Sequence, residues 1–218
     1  MGVEINLLAK YPVSKRNIKL RSLKTENDKI VATKYGYDYF DGDRRYGYGG
    51  YNYDSKYWSN VVIDFMNYFK LSSTSSLLDV GCAKGFMLYE ISKLIPGIDL
   101  KGIDISQYAI DNALPEIKNN ITFANAISIP FPENFFDVVI SINTIHNLDI
   151  EECTTALLEI ERVCKGKSFI TVDAYRTESE KQNMLYWNLT AKTIMHVDEW
   201  QYLFKSVGYT GDYYWFIP

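Results

Sequence analysis

LLDVGCAKGF, residues 77–86, contains an apolar run, a pair of glycines and the start of a helical pattern. The apolar run is typical of a buried strand that carries Asp79 near its end, and Gly81 and Gly85 mark a tight turn into a helix. Glycines at such a turn let the backbone approach a ligand closely, and the first amides of the helix face that ligand. The stretch therefore predicts a ligand-binding turn between a strand and a helix.

Short apolar runs alternate with helical patterns on the carboxyl side of this turn. Strands joined through helices need crossover connections, which give a parallel sheet with helices on both faces. The sequence therefore predicts an α/β fold, a Rossmann-like doubly wound, mostly parallel sheet of six or seven strands. The predicted strands are 76–81, 99–106, 121–127, 136–144, 168–175 and a last one within 211–218. Residues 190–196, TAKTIMH, either supply one more strand or leave the sheet one strand short.

A second acidic residue, Asp104, ends the second predicted strand. A carboxylate at that place can accept hydrogen bonds from two ribose hydroxyls, so a nucleoside-bearing ligand is expected. A nicotinamide dinucleotide would need glycines spaced to admit a pyrophosphate, whereas this turn has Gly81, Ala83 and Gly85. Asp79 would repel a pyrophosphate but suits a cationic ligand that carries an amino group and a sulfonium.

Three stretches resemble the class I S-adenosylmethionine-dependent methyltransferases: LLDVGCAKGF, GIDIS and NAISIPFPENFFDVVISINTIHNL. The third is similar to small-molecule methyltransferases of the ubiquinone and menaquinone group, and the resemblance covers residues 75–210. Two positions depart from the family pattern, Ala83 in place of a middle glycine and Asn125 in place of a frequent Asp. Class I enzymes commonly end with two more strands, the last antiparallel, whereas this chain has one clear candidate.

The resemblance implies S-adenosylmethionine as the cofactor, with no metal, and it implies positions for each part of that molecule. The methionine part is expected beside Asp79, Gly81, Ala83 and Gly85, and the ribose beside Asp104. The adenine is expected beside Ile105, Asn125 and Ala126, and the methyl group close to Asn143.

The carboxyl edge of the predicted sheet carries three further candidates. His146 follows the fourth strand, and its side chain titrates near neutral pH, so it is the candidate general base if the acceptor is a hydroxyl. A histidine that caps or packs against the following helix is an equally good interpretation. Asp173 and Arg176 end the fifth strand on the same edge and are candidate substrate contacts, with an ordinary loop edge as the alternative.

Residues 39–58, YFDGDRRYGYGGYNYDSKYW, fit neither an ordinary helix nor an ordinary strand. They precede the helix that leads into the first strand, so they can fold over the carboxyl edge as a lid. The glycines would let the lid bend, the tyrosine rings would exclude water, and the arginines would bind an anionic group. The predicted lid residues are Tyr39, Arg44, Arg45, Tyr46, Tyr48 and Tyr51. An aromatic surface loop packed on the last strand is the alternative.

Composition limits the partners that we expect. The chain has 218 residues, 23 basic against 27 acidic, and a net charge of −4, which gives no broad electrostatic attraction for nucleic acid. A local basic segment does occur, formed by Lys15, Arg16, Lys19, Arg21 and Lys24. No apolar run is long enough to cross a membrane. The three cysteines lack CxxC spacing, and no secretory signal pattern opens the sequence, so a reduced, cytoplasmic protein is expected.

Residues 1–70 are predicted to be an extension with the lid and a helix, and residues 71–218 to be the methyltransferase domain. The predicted activity is methyl transfer from S-adenosylmethionine to a small polar acceptor, a hydroxyl of a sugar-derived or other metabolite. Two other functions stay open, an NAD(P)-dependent oxidoreductase and a non-catalytic protein that binds S-adenosylmethionine or a partner through the aromatic stretch.

Overall fold

A computed structural model of the chain describes residues 2–12 and 23–218. Four members of the basic segment, Lys15, Arg16, Lys19 and Arg21, lie outside the described residues. The strands are β1 (Ser76–Val80), β2 (Asp99–Asp104), β3 (Ile121–Phe123), β4 (Phe136–Ile142), β5 (Cys164–Tyr175), β6 (Met195–His196) and β7 (Asp212–Phe216). The helices are α1 (Glu26–Ala32), α2 (Tyr37–Phe40), α3 (Ser55–Phe69), α4 (Phe86–Leu94), α5 (Gln107–Asp111), α6 (Pro115–Lys118), α7 (Ile150–Val163), α8 (Glu178–Trp187) and α9 (Val197–Ser206). A short 3-10 helix spans Ile145–Asn147.

Within the described ranges, seven strands form one sheet, and its neighbours run in the order β3-β2-β1-β4-β5. Beyond β5 the sheet continues as β7, paired from Phe169 to Asp173, and as β6, paired at Ala174 and Tyr175. All these pairs are parallel, which confirms the predicted α/β fold.

The sheet answers one open question and differs from the family pattern in one respect. The segment TAKTIMH does supply a further strand, β6, which has two residues. The last strand, β7, is parallel to β5 rather than antiparallel, because α9 carries the chain back across the sheet before β7 begins. A helix that crosses the sheet returns the chain to the edge where the preceding strand began, so the next strand runs parallel to that strand.

Helices cover both faces of the sheet and bury two apolar clusters. Leu77 in β1 belongs to the cluster under α3 and α4, while its neighbour Leu78 belongs to the cluster under α7 and α9. Successive strand residues point to opposite faces, so one strand supplies both cores. Phe65 of α3 and Trp200 of α9 are each fully buried against their own face. Burial of this kind contributes roughly 1.5–3 kcal/mol for each large apolar side chain.

Capping residues fix where three of the helices begin. Thr25 and Asp54 accept hydrogen bonds from the first turns of α1 and α3, as their positions in the sequence predict. The cap of α9 is His196, whose side chain accepts a hydrogen bond from the amide of Asp198.

Residues 2–12 lie against the far side of β7. Glu4 pairs in parallel with Tyr213, and the Ile5 amide donates to the Tyr213 carbonyl at 2.9 Å. This segment therefore lies along the edge of the sheet, and it continues towards the carboxyl ends of the strands. In the part of the chain that is described, no helix combines the length and the apolar character needed to span a membrane.

Candidate functional site

A cavity of about 470 Å³ opens at the carboxyl ends of β1, β4 and β5. That volume lies within the range of small-molecule sites, and parallel sheets bind ligands at this edge. Its inner lining includes Asp79, Gly81, Ala83, Asn143, Thr171, His146 and Asp173. Its outer wall comes from residues 6–12, from the aromatic stretch and from residues 187–190.

The turn after β1 has a shape that most side chains would prevent. Gly81 has φ +82°, and a Cβ atom there would lie 2.1 Å from the Thr144 Oγ1 atom, so glycine is required. Ala83 also has a left-handed φ, +50°, which costs an L residue roughly 1–2 kcal/mol. The departure from the family pattern at Ala83 is thus accommodated with strain. Gly85 begins α4 and lies outside the cavity lining.

Asp79 contributes a buried carboxylate to the cavity. The residue is 5% exposed, and none of the described residues donates a hydrogen bond to its side chain. Burial, with a smaller effect from the nearby charge of Asp104, raises the pKa of Asp79 to about 7. A buried carboxyl group that lacks a donor fits a ligand that brings its own ammonium group, as S-adenosylmethionine does.

Asp104 is tied to the turn itself. Its Oδ2 atom accepts from the Ala83 amide at 2.7 Å, and its Oδ1 atom accepts from the Ser106 amide at 2.8 Å. Burial raises the pKa of Asp104, and these backbone hydrogen bonds oppose that rise. Each oxygen keeps a further lone pair, so both can still accept from ribose hydroxyls.

The three residues expected at the adenine lie beside β2 and outside the cavity lining. Ile105 is 45% exposed, and Ala126 is buried in the core under α7. The Asn125 side chain accepts from the Ile127 amide and closes its own turn. Above this region, the Ser106 hydroxyl donates to the Tyr35 carbonyl at 2.5 Å, so the chain before α2 lies close to the end of β2.

Asn143 follows β4 in a left-handed conformation, with φ +52°. The Oδ1 atom of Asn143 accepts a hydrogen bond from the Thr171 hydroxyl at 2.8 Å. The backbone amide of Asn143 donates to the oxygen of that hydroxyl, also at 2.8 Å. The Asn143 side chain is thereby held against β5 at the floor of the cavity. Thr171 was missed by the sequence analysis, because a threonine inside a strand gives no signal of its own.

His146 and Asp173 form a buried pair at the end of β4 and β5. The backbone amide of Asp173 donates to Nδ1 of His146 at 2.9 Å, and Nε2 lies 3.6 Å from the Asp173 Oδ1 atom. Burial lowers the pKa of His146 to about 3 despite the carboxylate beside it, so the ring is neutral at physiological pH. Because Nδ1 accepts a hydrogen bond, the proton of the neutral ring is on Nε2.

The aromatic stretch does fold over the carboxyl edge. Tyr39, Tyr48 and Tyr51 line the cavity, with ring centroids 5.3 Å apart for the first two and 4.4 Å for the last two. Burial raises the pKa values of Tyr39 and Tyr51 well above their ordinary value, so both stay protonated. Arg44 also lines the cavity, and its guanidinium donates to the Gly47 carbonyl.

Three predicted substrate or lid residues lie away from the cavity lining. Arg45 pairs with the buried carboxylate of Asp28 at 3.0 Å, with Tyr46 beside its guanidinium. Arg176 pairs with Glu4 at 2.5 Å. In this arrangement these arginines hold α1 and residues 2–12 in place.

Lys84 connects the glycine turn to the aromatic stretch, a contact that the sequence analysis missed. Its Nζ atom lies 2.6 Å from the Asp41 Oδ2 atom and donates to the Tyr51 carbonyl at 2.8 Å. The Tyr108 hydroxyl donates to the same Asp41 oxygen at 2.7 Å. Lys84 is almost fully buried, so this ion pair fixes the lid against the predicted cofactor turn. The available signal was a lysine inside a turn of otherwise small residues.

Several known proteins that resemble this chain are methyltransferases, in agreement with the glycine turn and the fold described above. Residues 78–172 match a family model described as a methyltransferase domain. A tRNA (carboxymethyluridine(34)-5-O)-methyltransferase of Arabidopsis thaliana is 33% identical over 60% of this chain and 31% of its own length. The O-methyltransferase rstn1 of Aspergillus nomiae is 29% identical over 44% of each chain. This chain thus spans less than half the length of either relative.

Solved structures support the same fold. The crystal structure of a SAM-dependent methyltransferase from Archaeoglobus fulgidus superposes with a TM-score of 0.54 at 24% identity, over 69% of this chain and 66% of that one. Residues 78–172 include the glycine turn, the acid that ends β2 and the strands that form the cavity floor. Residues 78–172 are thus similar to a methyltransferase domain, the fold is that of a SAM-dependent methyltransferase, and S-adenosylmethionine is the cofactor that such a domain implies.

Proposed function

We propose that the protein transfers the methyl group of S-adenosylmethionine to a hydroxyl group of a small polar acceptor. One observation carries the proposal: a single cavity is lined both by Asp79, whose carboxyl group receives no hydrogen bond from the described residues, and by the pair His146 and Asp173. Asp79 is suited to bind the ammonium group of the cofactor, and the pair His146 and Asp173 is suited to an acceptor that must lose a proton. The family match favours this activity over the oxidoreductase and the non-catalytic alternative.

The cofactor would supply an activated methyl group on a sulfonium. The chain's own residues would then position the acceptor, which is the larger part of the task in such a displacement. Asp79 would hold the amino group, Asp104 the ribose, and Asn143 would lie near the methyl group. The tyrosine rings of the lid would exclude water from the donor and the acceptor.

The cavity wall supports an acceptor of modest size with a ring or another flat face. Tyr11 and Trp58 meet edge to face, with centroids 5.1 Å apart, and Tyr48 and Tyr214 also line the wall. Aromatic rings of this kind cover flat ligands and sugar faces well. Arg44 adds a guanidinium to the same wall, which suits a polar or anionic substituent. We therefore propose a sugar-derived or other cyclic metabolite.

A nucleic acid is the alternative acceptor, and the acceptor experiment described below tests it. The Arabidopsis relative carries the name of a tRNA methyltransferase, whereas this chain has a net charge of −4. We also propose the division at residue 70 and a cytoplasmic location, which the three free cysteines support.

Binding of the cofactor is the first experiment. Calorimetry with S-adenosylmethionine, S-adenosylhomocysteine and NAD⁺ should give binding of the two adenosyl ligands alone. Asp104→Ala should weaken that binding by about 10- to 100-fold, because charge-assisted hydrogen bonds to ribose are lost. Asp99→Ala is the matched control, since Asp99 is exposed at the opposite end of β2. Binding of NAD⁺, or equal affinities in the two variants, would contradict the cofactor assignment.

The acceptor class needs a second experiment. The protein and S-adenosylmethionine are incubated with phenols, sugars, hydroxy acids, amines and a tRNA transcript, and products are found by the mass of an added methyl group. Methylation of a hydroxyl on a small molecule is expected. Methylation of the amines or the tRNA alone would overturn the proposed acceptor while leaving the cofactor assignment intact.

A further inference from the structure

The ring of His146 is held in one orientation by its contacts with the protein. Its Nδ1 atom accepts a hydrogen bond from the Asp173 backbone amide at 2.9 Å, and that amide belongs to β5. The His146 carbonyl oxygen accepts from the backbone amides of Lys192 and Thr193, each at 3.0 Å. The ring and the backbone are therefore both fixed against neighbouring parts of the fold.

The other ring nitrogen, Nε2, has no hydrogen-bond partner among the described residues. Its distance to the Asp173 Oδ1 atom is 3.6 Å, which is longer than a hydrogen bond. The residue as a whole is 4% exposed and lines the cavity. Nε2 is nevertheless not one of the fully buried side-chain atoms that lack a partner in the described part of the chain, so it keeps some open surface. That surface is available to a molecule in the cavity.

The hydrogen bond at Nδ1 decides what Nε2 can offer. A neutral imidazole carries its one proton on the nitrogen that does not accept, so the proton is on Nε2. The two ring nitrogens point in roughly opposite directions, so a ring whose Nδ1 faces β5 directs its Nε2–H away from β5 and towards the cavity. Burial lowers the pKa of His146 to about 3, so the ring takes up no second proton at physiological pH. His146 is thus suited to donate a hydrogen bond rather than to remove a proton.

The position of this N–H group limits which atom of an acceptor it can contact. His146 follows Asn143 by three residues at the same edge of the sheet, and both residues line the cavity. An N–H group bound to the attacking oxygen would occupy a lone pair and weaken that oxygen as a nucleophile. A second oxygen atom beside the reacting hydroxyl avoids that loss and still orients the acceptor for methyl transfer.

We propose that His146 is a specificity-determining residue that donates its Nε2–H to a second oxygen atom of the acceptor, next to the hydroxyl that is methylated. The inference rests on the proposed function and deepens it, because it narrows the acceptor to compounds with oxygen atoms on two adjacent carbons. Vicinal diols of sugars and 2-hydroxy carbonyl compounds have this arrangement. It also gives His146 a role other than the general base expected from the sequence.

The state of the ring can be measured without any acceptor. Nitrogen NMR of protein labelled at histidine distinguishes a bare ring nitrogen from a protonated one, and the chain has two histidines. His196→Gln removes the signals of the other ring. We expect a bare Nδ1 and a protonated Nε2, unchanged between about pH 7.5 and about pH 5 although the Asp173 carboxylate lies nearby. A protonated Nδ1, or a ring that titrates near its ordinary pKa, would overturn the inference.

Two substitutions separate the donor from the structural contact. His146→Asn places an amide oxygen near the position of Nδ1, so it keeps an acceptor for the Asp173 amide but removes the Nε2–H. His146→Gln places an amide N–H near the position of Nε2 and so keeps the donor. Both variants should bind S-adenosylhomocysteine with nearly unchanged affinity, which shows that they fold.

Each protein is then compared on two acceptors, the compound found in the panel above and its analogue in which hydrogen replaces the neighbouring oxygen. In the natural protein and in His146→Gln, kcat/KM should be at least about tenfold lower for the analogue, because the N–H group is left unpaired. His146→Asn should treat both acceptors alike to within about threefold. The Nε2 proton signal of the natural protein gives the same answer without a variant, since it should shift when the acceptor binds and stay unchanged with the analogue.

A merely structural role of His146 would lower both kcat/KM values together, so an unchanged ratio in His146→Asn would overturn the inference. A panel acceptor that has no second oxygen beside its methylated hydroxyl would do the same. Loss of activity on both acceptors in His146→Gln, with a ring that titrates near its ordinary pKa, would restore the histidine as the base. If neither adenosyl ligand binds to the natural protein, the proposed function falls, whereas the nitrogen signals still decide whether His146 can be a donor.

Discussion

The pKa of Asp79 leads to a quantitative prediction for cofactor binding. At a pKa of about 7, the carboxyl group of the ligand-free protein is mostly neutral in mildly acidic solution. An ammonium group binds the ionised form, so the apparent affinity falls with the ionised fraction. That fraction is about one thirtieth at about pH 5.5 and about one half at about pH 7, since each pH unit below the pKa lowers it about tenfold. Affinity for S-adenosylhomocysteine should therefore rise about fifteenfold over this interval.

Calorimetry in two buffers with different ionisation enthalpies tests the same prediction twice. The affinity should follow the pH as described, and proton release should approach one per ligand at about pH 6, because binding ionises a carboxyl group that was protonated. Asp79→Asn should bind more weakly at neutral pH and should lose both the pH dependence and the proton release. An affinity of the natural protein that is flat in pH, or the same slope in Asp79→Asn, would refute the assignment of Asp79 to the ammonium group.

Three further predictions concern stability, measured by urea unfolding. Gly81→Ala should cost more than about 2 kcal/mol, because the new Cβ atom meets a threonine side chain at a left-handed φ; an unchanged midpoint would contradict the geometry of the turn. Lys84→Met should cost about 3 kcal/mol, since Asp41 then keeps a largely buried charge without its cation, and adding Asp41→Asn should restore part of the loss; additive losses would argue against the pair. The pKa of His146 is lowered on folding, so the unfolded chain takes up the proton first as the pH falls. The natural protein should therefore lose about 2 kcal/mol more than His146→Gln between about pH 7 and about pH 5. Equal losses in the two proteins would contradict the lowered pKa.

Local patterns in the sequence were sufficient for most of the fold and for the positions of several candidate site residues at the ends of strands. An apolar run followed by glycines predicts a strand and a turn whichever strands pair with it. Asp79, Gly81 and Asp104 could therefore be placed correctly at the ends of strands. The direction of β7 could not be predicted in this way. It depends on how α9 crosses the sheet, which is a property of the whole chain rather than of the residues in β7.

Contacts between distant residues account for the rest. Arg44 and Arg45 are neighbours in the sequence, yet only Arg44 lines the cavity, because Asp28 holds Arg45 elsewhere. Likewise, no residue close to Lys84 in the sequence indicates that Lys84 forms an ion pair with Asp41. Charged residues in an irregular segment have many possible partners, and the choice among them depends on tertiary geometry that periodicity does not encode.

The division of the cavity between two sources of residues has a consequence for how this protein can diversify. Its inner lining comes from strand ends and turns within residues 79–173, whereas much of its outer wall comes from residues 6–58 and 187–216. Under the proposed function, mutations in the outer wall alter the shape offered to an acceptor and leave the turn assigned to the cofactor unchanged. A lineage could then explore new acceptors while the donor site is conserved, and a laboratory library confined to those outer segments would search the same space.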